Sequence, residues 1–455
     1  MRYTKFYSTI ALMLMCAVTF SQTAADFSAL DKYLQKLDDG DQIKGSVVVS
    51  SGGKAIYEWQ SGSAWYNQGE ERKTDSNTPL AIGSTTKMMT SVMVLQMAEE
   101  GLLSLDQSLE GFYPNMPGAE KIQISDLLGH TSGLANFTAE QEFLHWMHRG
   151  KDRDEMLEWF AGFDLVFEPG SEVAYSNTNY VLLGYILEDV TGKSFGKLLN
   201  ERISGPLGLE NTFFTRDEVP GHLQSTSFIR TNWDWVPMVP EMDLNNAHAA
   251  GGVLSTGSDL NVFISALFNG QLISEKSLQS MIDTREGFGY GLLETPFYHH
   301  LGFGHYGSLD EYYIFVAHYP EAGIEIAVLC NGLDEDFSRV LKNVLSNVLE
   351  KDPKTEPLVS ISIDEDELSL FTGSYYNLES GMELNITVEG GHLKISGPDD
   401  KSIYPVPVHD FLFEDQSLDT TRFSFLFDGR GSVESLLIKN SSDIILLNRN
   451  EVPGS

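Results

Sequence analysis

The sequence predicts a mixed helix-and-strand domain followed by a small all-β domain. Within the first domain, two β-rich runs meet at a tight turn in residues 45–60, a mostly helical pattern occupies about 100–250, and strand patterns return at 285–331. After about residue 362, roughly eight short strands follow one another, which is typical of an antiparallel barrel or sandwich.

These patterns divide the 455-residue chain into four segments. We assign residues 1–25 to a signal peptide, 26–350 to the larger domain, 351–361 to a linker and 362–455 to an accessory antiparallel β-barrel domain. The linker assignment depends on the proline- and charge-rich run KDPKTEPL. The last segment is interpreted as accessory because its sequence contains no nucleophile or metal-ligand pattern.

The first 25 residues have the physical features of a secretory signal peptide. Arg2 and Lys5 form a positive start, an apolar stretch runs from Thr9 to Phe20, and small residues follow. The apolar stretch is shorter than the roughly 17–25 residues that span a bilayer, so a cleaved signal is favoured over a membrane anchor. We therefore expect an exported protein, periplasmic or secreted, with no stable membrane insertion after cleavage.

The charge and the cysteine content exclude several classes of function. The formal net charge is −35, and such an acidic surface repels nucleic acid and anionic membranes. Cys16 lies in the predicted signal, which leaves Cys330 without an internal disulfide partner and excludes a cysteine-rich zinc site. Cys330 follows an apolar run and is expected to be a buried strand cysteine.

The pattern S-x-x-K occurs three times, and its surroundings distinguish the three matches. In residues 51–54 the two intervening glycines predict a hairpin turn, and in residues 194–197 the serine can cap a helix. Ser84 and Lys87 instead begin a helix that is apolar on almost all sides and is therefore expected to be buried. A serine and a lysine at the start of a buried helix are costly unless they are paired.

Ser84 and Lys87 lie three positions apart, on one helical face, and together can perform nucleophilic catalysis. A serine hydroxyl needs an adjacent base, and a lysine can be that base if burial or a neighbouring cation lowers its pKa. The backbone N–H of Ser84, at a helix N-terminus, can also stabilise a developing oxyanion.

Two further motifs follow in an order that would complete such a site. Tyr175 and Asn177 form a Y-x-N motif just before an apolar helix, and His305 and Gly307 form an H-x-G motif that is followed by Ser308 at the start of a strand. Each motif also occurs elsewhere in the chain, so neither is specific by itself.

The ordered set S-x-x-K, Y-x-N and H-x-G resembles that of the serine β-lactamase-like, penicillin-recognising hydrolases. The branch concerned contains class C β-lactamases, D-Ala-D-Ala carboxypeptidases, D-aminopeptidases and esterases. The resemblance covers about residues 40–350. It implies an α/β fold with a helical insert (β-lactamase/transpeptidase-like) and a site in the cleft between the two. The trailing β domain more weakly resembles the lipocalin-like barrels appended to some of these hydrolases.

The resemblance also implies a role for each motif residue. Ser84 attacks the carbonyl and becomes acylated, while Lys87 and Tyr175 share the proton transfers, and which of the two is the base stays open. Asn177 hydrogen-bonds the substrate amide and Lys87. The N–H groups of Ser84 and Ser308 form the oxyanion hole. Water then hydrolyses the acyl-enzyme, and no cofactor or metal is implied.

The third motif departs from the family's K-T-G pattern. His305 and Tyr306 replace its lysine and threonine. Histidine is mostly neutral at pH 7, so recognition of a substrate carboxylate is weakened. The bulky residues 311–313 narrow the cleft or pack outward, and the sequence favours neither. His130 is expected to be a structural hydrogen-bonding residue.

We therefore expect an exported serine hydrolase that forms an acyl-enzyme with a small amide or ester. Its expected partner is a small-molecule or peptide substrate, with D-amino-acid peptides and carboxylic esters first among them. The alternatives are an esterase with little peptidase activity and a non-catalytic β-lactamase-like binding scaffold. The intact set of Ser84, Lys87 and Tyr175 argues against the scaffold.

Overall fold

The chain divides into two compact units, residues 1–353 and 354–455. The predicted signal peptide at 1–25 and the predicted linker at 351–361 lie outside the described residues. The computed structural model describes residues 26–67, 70–215, 219–231, 234–349, 368–377, 382–390, 392–397, 402–403, 405–409, 412–415, 421–427, 433–439 and 444–449.

The helices of the first unit fall mostly in the middle of the chain, as the sequence pattern predicts. None of the helices among the described residues is both long and apolar enough to cross a lipid bilayer. The α-helices are α1 Ser28–Asp39, α2 Thr86–Glu99, α3 Ile124–Leu128, α4 Gln141–Trp146, α5 Arg153–Ala161, α6 Asn177–Thr191, α7 Phe195–Leu199, α8 Gly205–Leu207, α9 Leu244–Gly251, α10 Gly257–Phe268, α11 Glu275–Ile282 and α12 Phe337–Leu349.

The strands of the first unit lie mainly near its two ends in sequence, although three of them fall between the helices α8 and α9. They are β1 Ile43–Ser51, β2 Lys54–Ser61, β3 Ser63–Asn67, β4 Glu70–Lys73, β5 Leu80–Ala81, β6 Phe213–Phe214, β7 Phe228–Thr231, β8 Asp234–Pro237, β9 Val253–Ser255, β10 Leu293–Glu294, β11 Phe303–Leu309, β12 Tyr312–Tyr319 and β13 Ile324–Leu333.

A central, mainly antiparallel sheet organises the first unit, with the strand order β10-β11-β12-β13-β1-β2. Successive side chains of a strand point to opposite faces. Val47 and Val49 of β1 accordingly belong to one apolar cluster, and Val48 belongs to the other. A sheet that is apolar on both faces needs a helical layer on each. Helices α1 and α12 cover one face and α10 covers the other, which confirms the predicted α/β fold.

Helix α2 is buried on all sides, as its uniformly apolar sequence predicts. Every residue from Thr86 to Leu95 is buried, including the polar Lys87. The α-helix begins at Thr86, two residues later than Ser84, which lies in a 3₁₀ turn formed by Gly83–Thr85. The turn runs directly into the helix, so Ser84 stays on the helix surface that carries Lys87.

The other two S-x-x-K matches have the structural roles that their surroundings predict. Gly52 and Gly53, with φ of 59° and 74°, form the two-residue turn between β1 and β2. Ser194 caps α7 by accepting the backbone N–H of Lys197. Cys330 is fully buried in β13, which confirms the prediction of a strand cysteine.

The second unit consists mainly of antiparallel strands in the order β17-β16-β15-β14-β22-β21-β20-β19-β18. The predicted closed, lipocalin-like barrel is not confirmed, because within the described ranges no hydrogen-bonded pairing joins the end strands β17 and β18. Strand β17 has only two residues, which leaves little edge for closure. The strands are β14 Gly373–Tyr376, β15 Glu383–Glu389, β16 His392–Ser396, β17 Ser402–Ile403, β18 Val406–His409, β19 Leu412–Asp415, β20 Thr421–Phe427, β21 Val433–Lys439 and β22 Ile444–Arg449.

Strand β11 lies directly against the 3₁₀ turn that carries Ser84. A Cβ atom built on Gly307 would lie 2.1 Å from the carbonyl oxygen of Ile82, and one built on Gly83 would lie 3.2 Å from the backbone nitrogen of Ser308. Only glycine permits this approach, and the φ of 50° at Gly83 adds a second reason for glycine there. The two glycines therefore set the distance between β11 and Ser84.

We predict that Gly307→Ala destabilises the first unit, because the added methyl group meets a backbone oxygen that cannot rotate away. The expected loss is about 1–3 kcal/mol in the free energy of unfolding, measured by urea denaturation. Gly221→Ala is the control, since no atom lies within 4 Å of its added Cβ. Equal stabilities of the two variants would contradict the close approach.

Candidate active site

Ser84, Lys87 and Tyr175 meet at the start of α2. The Oγ of Ser84 lies 3.1 Å from the Nζ of Lys87 and accepts a hydrogen bond of 2.7 Å from the hydroxyl of Tyr175. Residues three apart on a helix are neighbours, which explains the first contact. The second requires tertiary structure, because Tyr175 lies just before α6. The serine oxygen is thus held between an amine and a phenol.

Lys87 has three oxygen neighbours at hydrogen-bond distance. Besides Ser84, its Nζ donates to the Oδ1 of Asn177 at 2.8 Å and to the carbonyl oxygen of Ala250 at 2.7 Å. The latter two oxygens can only accept hydrogen bonds, and a neutral amine has two N–H groups for them. Its lone pair is then left for the hydroxyl of Ser84. The contact set therefore suits a neutral lysine that accepts a proton from Ser84.

Burial lowers the pKa of Lys87 well below its usual value. Its side chain is fully buried, and among the described residues no carboxylate forms an ion pair with it. The rings of Tyr175 and Tyr180 lie 4.8 and 5.5 Å from Nζ, but a cation–π contact contributes only about 0.5–2 kcal/mol. Desolvation of a buried ion costs several kcal/mol, so the neutral amine is favoured.

Tyr175 is the complementary proton donor. Burial raises the pKa of its phenol, so the hydroxyl stays protonated around neutral pH. It donates to Ser84, whose own proton is then directed towards Lys87. The geometry therefore gives Lys87 and Tyr175 different tasks, although both touch the same oxygen.

His130 supports Tyr175 from behind. Its Nδ1 accepts the backbone N–H of Ser176 at 3.2 Å, and its ring lies 4.6 Å from the ring of Tyr175. Burial lowers the pKa of His130 well below its usual value, so the ring is neutral. These contacts confirm the prediction of a structural hydrogen-bonding histidine.

Asn177 is the first residue of α6 and connects Lys87 to a neighbouring loop. Its Nδ2 donates to Thr138 Oγ1 at 2.9 Å, and its backbone N–H donates to Asn136 Oδ1 at 3.0 Å. These bonds fix the amide so that its oxygen faces Lys87. Neither Asn136 nor Thr138 was identified from the sequence, since both lie outside the recognisable motifs.

The carbonyl group of Ala250 is positioned by an unusual backbone conformation in α9. His248 has φ 39° and ψ −129°, which breaks the helical geometry. After this kink, the carbonyl of Ala249 accepts the hydroxyl of Thr90 and that of Ala250 accepts Lys87, both at 2.7 Å. Strained residues of this kind cost about 1–3 kcal/mol and cluster at functional sites. The run Ala-Gly-Gly at 250–252 indicated a family match but not this contact.

His305 and Tyr306 of the third motif point to opposite faces of β11. His305 is buried and donates its Nδ1–H to the carbonyl of Tyr306, which leaves Nε2 as the acceptor. Burial lowers the pKa of His305 well below its usual value, so the ring carries no charge. Tyr306 packs against Phe315 with ring centroids 5.0 Å apart, among residues of the cluster under α1 and α12. The tyrosine that replaces threonine is therefore not in the cleft.

The bulky residues at 311–313 do not narrow the cleft. Tyr312 is fully buried in the core, and Tyr313 stacks on Phe337 and donates to Glu311 at 3.2 Å. None of the three forms part of the cavity beside Ser84. The sequence left two interpretations open, and narrowing of the cleft is wrong: Glu311 and Tyr313 pack away from the cavity, whereas Tyr312 packs into the core.

A small cavity of about 190 Å³ opens beside Ser84. Of the predicted site residues, Ser84, Asn177 and Ser308 line it, Lys87 and Tyr175 lie behind Ser84, and His305 and Gly307 are buried in β11. Its walls are formed by Gly83, Ser84, Phe137, Thr138, Phe143, Asn177, Met242, Ala247, Ala250, Gly251, Ser308, Leu309 and Asp310.

No metal site accompanies this arrangement in the part of the chain that the structure describes. No group of three or more His, Cys, Asp or Glu side chains lies close enough together there to hold a metal ion. The chemistry available at the cavity is that of a serine hydroxyl with an amine and a phenol beside it.

Known proteins resemble the chain over most of its length. A family model described as Beta-lactamase matches residues 30–348. The penicillin-binding protein 4* of Bacillus subtilis (strain 168) is 25% identical over 410 residues, which are 83% of this chain and 89% of that protein. The teichoic acid D-alanine hydrolase of Staphylococcus aureus is 22% identical over 331 residues, covering 71% and 78%.

One solved structure has a similar fold and a sequence identity comparable to that of the two relatives above. The D-stereospecific amidohydrolase from Streptomyces sp. superposes with a TM-score of 0.59 and is 25% identical. The match covers 72% of this chain and the whole of that one. The similarity therefore extends across the unit that contains Ser84.

We predict that Lys87→Met removes a pH dependence of stability. The pKa of Lys87 is lower in the folded protein than in the unfolded chain, where it is about 10.4. At a pH between these two pKa values, Lys87 of the unfolded chain binds a proton that Lys87 of the folded protein does not. Wild-type stability therefore rises with pH in this window, by up to about 1.4 kcal/mol per pH unit, and levels off above it. The difference in the free energy of unfolding between wild type and Lys87→Met, measured by urea denaturation at a series of pH values, should therefore also rise with pH in this window.

Lys54→Met is the matched control, because Lys54 also ends an S-x-x-K sequence but is exposed. Its stability difference from wild type should not change over the same range of pH. A pH-independent difference for Lys87→Met as well would mean that Lys87 is an ammonium group in the folded protein.

Proposed function

The chain belongs to the Beta-lactamase family of serine hydrolases, and on that premise we propose that it hydrolyses a small amide or ester of a D-amino acid. The reaction runs through an acyl-enzyme on Ser84. The observation that carries this proposal is the placement of one serine oxygen between the buried amine of Lys87 and the protonated phenol of Tyr175.

In the acylation step, the Oγ of Ser84 attacks the substrate carbonyl while its proton moves to Lys87. The new ammonium group keeps Asn177 and Ala250 as hydrogen-bond acceptors, so the charge forms where two oxygens already face it. Lys87 is the base in this account, since Tyr175 starts with its proton in place. Tyr175 gives that proton to the departing amine or alcohol, and the proton that Lys87 took from Ser84 then neutralises the Tyr175 phenolate.

The oxyanion formed in this step lies between two backbone N–H groups in our proposal. Ser84 supplies one, at the start of the 3₁₀ turn, and Ser308 supplies the other from β11. The close approach of Gly83 to the backbone of Ser308, 3.2 Å from a built Cβ to the nitrogen, supports this pairing. Removing one such donor typically costs about 3–4 kcal/mol of transition-state stabilisation.

Deacylation uses the same groups in reverse. Neutral Lys87 accepts a proton from water as the water attacks the acyl carbon, and Ser84 regains its hydroxyl proton when it leaves. No proton or electron is required from a cofactor, so substrate and water suffice. This cycle returns Lys87 to the neutral form that its burial favours.

The choice of substrate is supported by the relatives and by the cavity. The similar proteins include a D-alanine hydrolase and a D-stereospecific amidohydrolase, at 22% and 25% identity. The cavity is smaller than usual ligand pockets of about 300–1,000 Å³, which favours a compact acyl group. The neutral ring of His305 offers no positive charge for a substrate carboxylate, so amides and esters are favoured over peptides that end in a free carboxylate.

We also propose that the protein is exported. The proposal rests on the positive start, the short apolar stretch and the small residues within 1–25. A hydrolase that acts on D-amino-acid derivatives outside the cytoplasm would be consistent with the strongly acidic surface, which stays soluble in a saline medium.

Covalent labelling and turnover test the proposed function. Ser84→Ala should not be labelled by a fluorophosphonate probe. Its kcat/KM on D-alanine methyl ester and on D-alaninamide should be at least about 1,000-fold lower than that of wild type. Ser194→Ala, in another S-x-x-K sequence, should keep both, since Ser194 only caps a helix. Labelling that persists in Ser84→Ala, or a preference for L-enantiomers, would contradict the proposal.

A further inference from the structure

His248 lies in α9, two residues before Ala250, whose carbonyl oxygen accepts a hydrogen bond from Lys87 at 2.7 Å. Its side chain is buried and does not line the cavity beside Ser84. We propose that His248 is a positioning residue: its ring, held by neighbouring side chains, keeps the backbone in the strained conformation that directs the carbonyl of Ala250 at Lys87. This inference rests on the proposed function, in which Lys87 is the base.

The backbone conformation of His248 is one that glycine normally adopts. Its φ of 39° and ψ of −129° lie near the values at the first central position of a type II′ turn. In a regular helix, carbonyl groups point along the axis towards N–H groups four residues later. After His248, the carbonyl groups of Ala249 and Ala250 instead accept hydrogen bonds from side chains of α2. The strained conformation therefore turns these two carbonyl groups towards α2.

The ring of His248 is held on several sides. The ring centroids of three aromatic side chains lie 4.8, 5.3 and 5.3 Å from its own, those of Tyr185, Phe195 and Phe214. Its Nε2 lies 3.7 Å from the Oε1 of Glu188, and the same oxygen accepts the backbone N–H of Phe195 at 2.8 Å. A strained conformation persists only where the surrounding structure imposes it, and these contacts to the ring can do so.

Helix α6 packs directly on the kink. A Cβ atom built on Gly184 of this helix would lie 2.6 Å from the Nδ1 of His248 and 2.4 Å from the Cβ of Ala249. The absence of a side chain at Gly184 therefore lets the two helices approach this closely. The same helix begins at Asn177, whose side-chain oxygen also accepts a hydrogen bond from Lys87. Helix α6 thus helps to place both acceptors of the amine, one of them through His248.

The position of the Ala250 carbonyl matters for the proton transfer in the proposed mechanism. Together with Asn177, it accepts the two N–H groups of the neutral amine, so that the lone pair of Lys87 is left for Ser84. It also accepts from the ammonium group that forms during acylation. A displaced carbonyl would weaken both effects without removing a side chain from the cavity wall, so we expect the loss mainly in kcat.

The test compares His248→Ala with His248→Gly on D-alanine methyl ester. Both substitutions remove the ring, but only glycine adopts the observed φ and ψ without strain. In His248→Ala the backbone should relax, and kcat should fall about 10- to 100-fold with KM little changed, because a hydrogen bond to a charged group is lost. His248→Gly can keep the conformation, so its kcat should be at least about fivefold higher than that of His248→Ala.

A purely structural role of the ring predicts a different order of activities. Both variants lose the same ring packing, and His248→Gly loses one methyl group more, so it would then be no more active than His248→Ala. That order, or a kcat of His248→Ala equal to that of wild type, would overturn the proposal. Urea denaturation of both variants verifies that the compared proteins are folded.

Glu188→Gln tests the anchor without removing the ring. Glutamine keeps an oxygen that accepts the N–H of Phe195, so the variant should fold, but the carboxylate beside the Nε2 of His248 is lost. We expect kcat to fall about twofold to fivefold with KM unchanged. Glu201→Gln is the control, because Glu201 pairs with Lys193 instead. If a His248 variant does not fold, equal kcat values for Glu188→Gln and Glu201→Gln would overturn the proposal.

The positioning role and the proposed function fail in different ways. If wild type hydrolyses the ester through Ser84 but the variants do not follow the expected order, only the role of His248 is wrong. If wild type does not hydrolyse the ester, the proposed substrate is wrong, and the rate constant for labelling of Ser84 by a fluorophosphonate replaces kcat. We expect the same order, with wild type fastest and His248→Ala slowest. Equal labelling rates of His248→Ala and His248→Gly, or no labelling of wild type, would overturn the role of His248.

Discussion

The structure of the site depends on one buried amine. Lys87 has no exposed surface and no acidic partner among the described residues, yet its Nζ touches Ser84, Asn177 and the carbonyl of Ala250. An ammonium group at this position would carry a desolvation cost of several kcal/mol. A neutral amine avoids that cost and has a lone pair that can accept a proton. In the mechanism that we propose, the same burial that is unfavourable for the charge therefore supplies the base.

Several features of the fold serve this arrangement. Helix α2 is buried on all sides, which removes water from Lys87, and the close approach of β11 at Gly307 places Ser308 beside the serine turn. The kink at His248 turns two carbonyl groups towards α2. The strain at His248 and the buried polar side chains reduce stability. Extensive packing of the sheet between two helical layers offsets that loss.

The sequence predicts those parts of the site in which a particular residue type stands at a recognisable spacing or in a recognisable motif. Ser84 and Lys87 are marked by helix spacing and by the apolar pattern of α2, and Tyr175 and Asn177 by their motif before α6. The acceptor on Ala250 is a backbone atom, so no residue type marks it. The kink at His248 depends on side chains that meet its ring only in the folded chain. The packing of residues 311–313 away from the cavity follows from strand register, which composition does not specify. In the second unit, alternation predicts strands, but closure of a barrel depends on pairing between its two end strands.

The protonation state of Lys87 is the most direct test of this account. In protein labelled with ¹³C at the lysine Cε, the Lys87 resonance can be assigned by its loss in Lys87→Met and followed across pH by NMR. We predict a neutral amine at pH 7, with the chemical shift of Lys87 unchanged up to pH 11 while exposed lysines titrate near their usual pKa of about 10.4. A Lys87 resonance that titrates together with the exposed lysines would contradict it.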